Sequence, residues 1–408
     1  MKRKILIFSL AYYPKHIGGA EVAIKEITDR LDPERYEFHL ICNRYDSTLP
    51  KQSQIGHVTV HRIGYARAGT ETTDLFQPVF YLVKIVYVPL AAYTAWRLHR
   101  RYSFDALWSM MLYMSYPVVL LRLCGLRLPY LLTLQEGDTF ERVFDRWYIK
   151  IFEPLLLKGI RNACVIQAIS TFLAGWATRK GFDGHIAVVP NAVDTARFAQ
   201  KLSQTERDAL RAELGLSPAD TALITTSRLV PKNAVDVVVR ALSHLPENVR
   251  FVVFGTGPEE ERIRALIAEH GLEGRVQLRG FIGHEDMPRY LAACDIFVRP
   301  SRSEGMGNSF VEAMAVGLPI IATHAGGIAD FLYDAHRDPD KPTTGWAVDT
   351  DDPEAVAKAV VDIVSNPEQV ALVCENARTM ALERFDWEVI AKRMDSEVFA
   401  QLWKSTSA

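Results

Sequence analysis

Residues 301–327 read SRSEGMGNSFVEAMAVGLPIIATHAGG, and the stretch follows directly on the apolar run CDIFVRP. That run reads as a buried strand ending at Pro300. A loop carrying Gly305 and Gly307 comes next. FVEAMAVG then reads as a short helix, capped by Asn308 or Ser309 and ended by Gly317. LPIIAT is a second buried strand, closing on Ala-Gly-Gly. Strand, glycine loop, helix and strand make a βαβ unit with its loop at the carboxyl edge of a sheet.

A helix N-terminus presents unpaired N–H groups and a partial positive charge, which suit a phosphate. The glycines admit close approach of a ligand to the backbone. Glu304 and Glu312 flank the loop with seven residues between them, placed to accept hydrogen bonds from sugar hydroxyls around a bound diphosphate. The plain alternative is an ordinary helix whose first turn carries acids because its dipole favours them.

The block resembles the signature of glycosyltransferase family 4: two Glu separated by seven residues, then EAMAVGLPIIAT and a Gly-Gly pair. The resemblance implies that Glu304 contacts the donor sugar, that Glu312 holds the ribose, and that the backbone of Asn308, Ser309 and Phe310 holds the diphosphate.

The chain has 408 residues, 49% hydrophobic and 24% charged, which suits two globular domains with ample core. The net charge of -2 is unevenly spread: residues 1–190 carry +8 and the remainder -10. A basic first half points to an anionic partner such as a membrane surface, against the alternative of chance imbalance. The cysteines Cys42, Cys124, Cys164, Cys294 and Cys374 are odd in number and scattered, mostly inside apolar runs. They read as buried thiols in a reducing compartment, without metal spacing or disulfide pattern. The opening MKRKILIFSLAYYP superficially resembles a signal peptide, but its apolar run is short and no small-residue cleavage site follows; a first buried strand explains it better.

From the N-terminus, Lys4–Leu10 is that strand. Gly18-Gly19 precedes a helix from about Ala20, with Glu21 in its first turn, but no G-x-G-x-x-G fingerprint is present. In the family a Gly-Gly-x-Glu loop here closes over the donor diphosphate and helps shape the acceptor site, which carries those roles to Gly18 and Gly19. YEFHLICNR and VTVHRIG read as strands, followed by a polar loop between Gly64 and Gln77. Residues 79–96 are apolar except Lys84 and Thr94, with Arg97, His99, Arg100 and Arg101 beyond. A core helix kinked at Pro89 and a helix lying on a membrane surface both remain open; Lys84 and Pro89 argue against a span. Residues 140–161 share the ambiguity. PYLLTLQEGD reads as a strand ending in a polar turn, where ligands bind in α/β sheets. Gln135, Glu136 and Asp138 are candidates for acceptor binding, against turn chemistry and capping. Many family members carry a His at Gln135, so no acid/base role is assigned there.

HIAVVPNAVDTARF resembles the family's Pro-Asn-Gly-Val-Asp pattern, with Ala192 for the usual Gly, and the domain boundary is expected near Pro190. SRLVPKNAVD resembles Gly-Arg-Leu-Val-x-x-Lys-Gly, whose Arg and Lys hold the diphosphate and stabilise its charge as the sugar leaves. Arg228 matches. The Lys position is Asn233 and the Gly position Ala234; Lys232, one residue earlier, is the candidate substitute. In FGTGPEEE, Gly255 and Gly257 let the chain turn under a ligand. In the family, backbone groups around Gly280, Phe281 and Ile282 face the nucleobase. The final stretch has helical periodicity, with Phe385, Trp387, Ile390, Val398 and Phe399 as anchors.

Alternating strands and helices make each half a parallel sheet covered by helices on both faces. The resemblance implies the GT-B architecture of two Rossmann-like domains facing across a cleft: residues 1–190 for the acceptor, 191–385 for the nucleotide-sugar donor, and 386–408 packing back on the first. It further implies a retaining, metal-independent transfer of a sugar from a UDP- or GDP-linked donor to an acceptor hydroxyl, with no cofactor. The expected partners are that donor and a glycan or lipid-linked acceptor of cell-surface polysaccharide, lipopolysaccharide or glycolipid synthesis. The expected place is the cytoplasm, with peripheral contact at the inner membrane face and no nucleic acid. A non-catalytic nucleotide-sugar-binding protein and a sugar-nucleotide epimerase are the alternatives.

Overall fold

The computed structural model describes residues 2–15, 17–70 and 78–404, apart from the side chains at 78–81 and 148. The loop expected between Gly64 and Gln77 lies outside the described residues from 71 onward. The chain folds as two compact units, Met1–Asn191 with Trp387–Ala408, and Ala192–Asp386.

In the first unit eight strands form one sheet: β1 (Arg3–Phe8), β2 (Tyr36–Asn43), β3 (Gln52–Ile55), β4 (Val58–Ile63), β5 (Ala106–Met110), β6 (Tyr130–Leu134), β7 (Val165–Ala168) and β8 (His185–Val188). Their order is β3-β4-β2-β1-β5-β6-β7-β8. The central strands are near-continuous runs of Ile, Leu and Val, buried on both faces as parallel strands require (ILIF in β1, LLTL in β6). The sheet departs from the expected wholly parallel arrangement at one edge. QSQI pairs antiparallel with β4 across the turn at Gly56-His57, where Gly56 takes φ +53°. This strand is short, polar and half-exposed, which blunts a sheet edge against further pairing.

The helix Pro78–Tyr102 runs unbroken through Pro89. One of its faces is core: Tyr87, Ala91, Ala95 and Leu98 are buried, and the Tyr87 hydroxyl donates to the carbonyls of Ser9 and Ile41. The opposite face leaves Leu82, Ile85, Val86, Tyr93 and Trp96 exposed. Residues 140–161 form two helices, Phe140–Phe144 and Trp147–Arg161, the second exposing Trp147, Ile151 and Phe152. Among the described residues no helix is long and apolar enough to cross a membrane. Cys42 and Cys294 are buried, while Cys124 is exposed.

The second unit carries six parallel strands: β9 (Thr221–Thr226), β10 (Val249–Phe254), β11 (Val276–Leu278), β12 (Ile296–Arg299), β13 (Ile320–Thr323) and β14 (Trp346–Val348), in the order β11-β10-β9-β12-β13-β14. The order reverses between β9 and β12, the kind of switch point outside which ligands bind in open α/β sheets. The chain then re-enters the first unit at Trp387. Helical residues 387–404 include a π-helical segment, Met394–Phe399. Phe399 packs on Tyr36, Phe38 and Trp108, and Asp395 accepts from Arg35 at 2.7 Å and from the Tyr36 hydroxyl at 2.6 Å.

Candidate active site

In the second unit the loop after β12 leads into the helix Asn308–Val316. Gly307 precedes that helix at φ +91°, and a Cβ there would stand 2.6 Å from the Phe310 ring and 2.8 Å from Arg299 Nη2. The glycine is therefore required twice, by its dihedral and by its neighbours. Glu304 is nearly buried. Its Oε2 accepts from Arg299 Nη2 at 2.8 Å, its Oε1 lies 3.7 Å from Lys232 Nζ, and the Gly305 N–H donates to Oε1 at 3.1 Å. Its carbonyl accepts the Gly327 N–H at 3.0 Å, and a Cβ on Gly326 would lie 2.0 Å from that same oxygen. The Gly-Gly pair thus exists to let the chain after β13 close onto Glu304.

Arg299 organises the cluster and is absent from the sequence-based candidates. It is 6% exposed, donates to Ser309 Oγ at 2.7 Å as well as to Glu304, and lies over the Phe310 ring at 4.2 Å. Burial lowers its pKa, opposed by the carboxylates of Glu304 and Glu312. A charged residue closing the otherwise apolar run IFVR was the available signal, since a buried guanidinium demands a partner.

Arg228 follows β9 and its side chain is exposed. Asn233, at the family's lysine position, is buried. Its Nδ2 donates to the Arg228 carbonyl at 2.7 Å, and its Oδ1 has no hydrogen-bond partner among the described residues. Asn233 therefore holds the loop, while Lys232 reaches Glu304. Ala234 adopts the left-handed conformation (φ +55°, ψ +35°) that glycine takes without strain. Gly255 (φ +149°) passes so close beneath this loop that a Cβ would meet the Ser227 carbonyl oxygen at 1.8 Å.

Phe281 is 82% exposed and Ile282 half-buried, on a loop that also carries His284. His284 Nε2 lies 3.0 Å from Glu312 Oε1, and its ring meets Phe198 edge-on. The hydrogen bond with Glu312 raises the His284 pKa, against burial. His284 too is absent from the sequence-based candidates; no periodicity marks a loop side chain. One unit thus gathers Glu304, Lys232, Arg299 and Ser309 in direct contact, with Arg228 on the neighbouring loop and Glu312 paired to His284. The acidic pairs Asp338/Asp340 and Asp349/Asp351 also lie here; Asp338, Asp349 and Asp351 are engaged by Lys341, Arg337 and Arg302.

In the first unit the helix Gly19–Arg30 begins after Gly18, whose N–H donates to Glu21 Oε2 at 2.9 Å. Burial pushes the Glu21 carboxyl up to about 7. Gln135 Nε2 donates to Asn191 Oδ1 at 3.0 Å, and Asp138 is half-buried with its carboxylate 3.6 Å from Arg142. Glu136 turns inward. Its Oε1 accepts the Leu112 N–H at 2.6 Å, and its buried Oε2 has no hydrogen-bond partner among the described residues.

Burial pushes the Glu136 carboxyl up to about 7. A raised folded pKa means that the stabilisation is complete below the unfolded value and fades as pH rises through the folded one. From an ordinary value near 4.5 to about 7 the contribution is of order 3 kcal/mol. Glu136→Gln should therefore melt near the native temperature at pH 5 and clearly above it at pH 8. Parallel melting profiles across that range would show that Glu136 does not titrate in this window.

Two family profiles match the chain: "Glycosyltransferase Family 4" over residues 17–197 and "Glycosyl transferases group 1" over 206–380. The GDP-mannose-dependent alpha-(1-6)-phosphatidylinositol monomannoside mannosyltransferase of Mycolicibacterium smegmatis is 29% identical over 250 residues, 58% of this chain and 63% of that protein. The chain spans between 54% and 63% of the length of the first curated relatives it matches. Sucrose-phosphate synthase from Thermosynechococcus elongatus superposes with a TM-score of 0.81 at 20% identity, over 99% of this chain and 100% of that one. Anabaena Alr3699/HepE, in complex with UDP and glucose, superposes with a TM-score of 0.75 at 20% identity, over 98% and 100%. The chain belongs to glycosyltransferase family 4, and its two parallel-sheet units are those of the GT-B fold.

Proposed function

We propose that this family 4 protein moves a sugar from a UDP- or GDP-linked donor to a hydroxyl of a glycan or lipid-linked acceptor, retaining anomeric configuration and using no bound metal ion. The observation that carries the reading is the Arg299–Glu304–Lys232 cluster beside the first turn of the helix Asn308–Val316. A fixed carboxylate stands next to cations and unpaired backbone N–H groups, which suits a sugar attached to a diphosphate. The names of the relatives support both bases: one uses GDP-mannose, and HepE was solved with UDP.

In this reading Glu304 orients the donor sugar and Glu312 the ribose, with His284 holding Glu312 in place. The acceptor oxygen forms a bond to the anomeric carbon on the face from which the diphosphate departs. The carbon–oxygen bond to the diphosphate breaks, its electron pair stays on the phosphate oxygen, and that oxygen takes the acceptor's proton. Negative charge grows on the leaving group, so Arg228, Lys232 and the N–H groups of Asn308 and Ser309 lower the barrier, while the Phe310 N–H is engaged by the Gly307 carbonyl at 3.2 Å. The five free thiols suit a reducing cytoplasm. The exposed apolar face of the helix Pro78–Tyr102, with Arg97, Arg100 and Arg101 exposed at its end, suits peripheral contact with anionic lipid.

A panel of UDP- and GDP-sugars tests this. One donor at about 100 times its Kd should stabilise the native protein by about 2.7 kcal/mol. That stabilisation should disappear in Glu312→Ala, and the nucleoside diphosphate should be released slowly. The protein should also float with phosphatidylglycerol vesicles, and should stay behind when Arg97, Arg100 and Arg101 are changed to Ser. Stabilisation without any release, with acceptors present, would indicate a binding protein; conversion of the donor to another sugar nucleotide would indicate an epimerase. No response to any donor would overturn the reading altogether.

A further inference from the structure

The first unit carries a groove of about 210 Å³ that the donor chemistry does not use. It lies between the carboxyl ends of β2 and β4 and the helix Pro78–Tyr102. Leu82, Val83, Val86 and Leu90 form one wall, and Asn43 and Gly64 lie opposite. The lining is apolar with one exception. Asn43 is 4% exposed; its Nδ2 donates to the Tyr45 hydroxyl at 3.2 Å, but its Oδ1 has no hydrogen-bond partner among the described residues. Gly64 sits at φ +87°, and a Cβ there would stand 3.0 Å from that same Oδ1. Glycine therefore leaves room beside an atom that is itself buried. A buried acceptor left unpaired is costly.

The groove's surroundings say what enters it. Its rim residues Leu82 and Val86 continue along the exposed face of the helix to Tyr93 and Trp96, where Arg100 lies over the Trp96 ring at 5.0 Å. An apolar track ending in arginines is complementary to a lipid with an anionic headgroup layer. The strand order β4-β2-β1 also puts the groove on the sheet edge that carries the Gly18-Gly19 turn. The volume is below the ~300–1,000 Å³ that encloses a whole drug-sized ligand, and suits a segment of chain.

We propose that this groove holds the hydrocarbon chain of a lipid-linked acceptor. The proposal rests on the glycosyltransferase reading and narrows it: the acceptor is a lipid, gripped by its tail in the first unit.

Calorimetry with n-alkyl glucosides, methyl to octyl and below their micelle concentrations, tests it on the full chain. Affinity should rise about fourfold per added CH₂ and flatten once the groove is full. Val86→Trp, at an exposed rim position where a larger ring covers the opening, should remove that dependence and cost octyl glucoside at least tenfold, with thermal unfolding confirming the fold. Trp96→Ser, outside the groove, should keep it. Affinity independent of chain length in the native protein overturns the proposal. So does an unchanged dependence in Val86→Trp, or an equal loss in Trp96→Ser, which would place the alkyl chain on the outer face. Donor stabilisation without chain-length dependence sinks the groove alone; chain-length dependence without any donor response sinks the transferase reading and leaves an alkyl site.

Discussion

Arg299→Met should destabilise the second unit by about 3–5 kcal/mol, the cost of leaving one partner of a buried ion pair uncompensated. Methionine matches much of the stem's volume, so the loss reports the charge rather than a cavity. Glu304 would keep the Gly305 N–H and Lys232 at 3.7 Å, but lose its 2.8 Å partner. Ser309 and Phe310 would lose theirs as well. For a unit of this size the shift corresponds to roughly 6–20 °C in Tm. Donor-dependent stabilisation should disappear with it, because the same guanidinium positions Glu304 and the first turn of the helix. Adding Glu304→Gln should recover part of the stability and none of the donor response. A melting point within about 2 °C of native, with donor stabilisation intact, would mean that Glu304 holds its place without Arg299.

Arg228→Ala should behave in the opposite way. The side chain is exposed, so stability should stay within about 0.5 kcal/mol of native. Turnover should fall about a hundred- to thousandfold, roughly 3–4 kcal/mol, because a donor aimed at the leaving diphosphate works mainly as charge develops. Arg228→Lys should recover only part, since a point charge does not reproduce the planar fork. Single-turnover release of nucleoside diphosphate measures the chemical step directly. If Arg228→Ala keeps turnover within about threefold while Lys232→Ala abolishes it, the leaving-group charge is carried by Lys232, and the register of the family motif has moved by one residue here.

The βαβ unit at residues 301–327 was legible because its signals are local: a strand's apolar run, glycines at the turn, a glycine stop and a second strand. Phe385, Trp387, Ile390, Val398 and Phe399 were legible as anchors by the same periodicity, and all five are buried. What escaped is non-local. Gln52–Ile55 is polar and short, so its alternation carries no hydrophobic signal; it is a strand because β4 offers an edge. The Arg299 role depends on Glu304 and Ser309 folding back around it, and that of His284 on a loop meeting the Asn308–Val316 helix. Glu136 read as a candidate for acceptor binding in a polar turn, whereas the Leu112 N–H just beyond β5 draws its carboxylate inward. The Lys232–Asn233 register was open in the sequence; the two side chains point to different tasks, one to Glu304 and one to the loop backbone.

The return of the chain at Trp387 sets an order of events during synthesis. All eight strands of the first unit are synthesised before the second unit is begun, yet Phe399 still has to cover Tyr36, Phe38 and Trp108. At ~5–20 residues per second, translating the intervening unit takes roughly 10–40 s. Throughout that interval the first unit carries an uncovered aromatic patch, and Arg35 and Tyr36 wait for Asp395. The unit that starts first is finished last. A nascent chain stalled anywhere in the second unit presents that patch to chaperones, and the docking of Phe399 withdraws it.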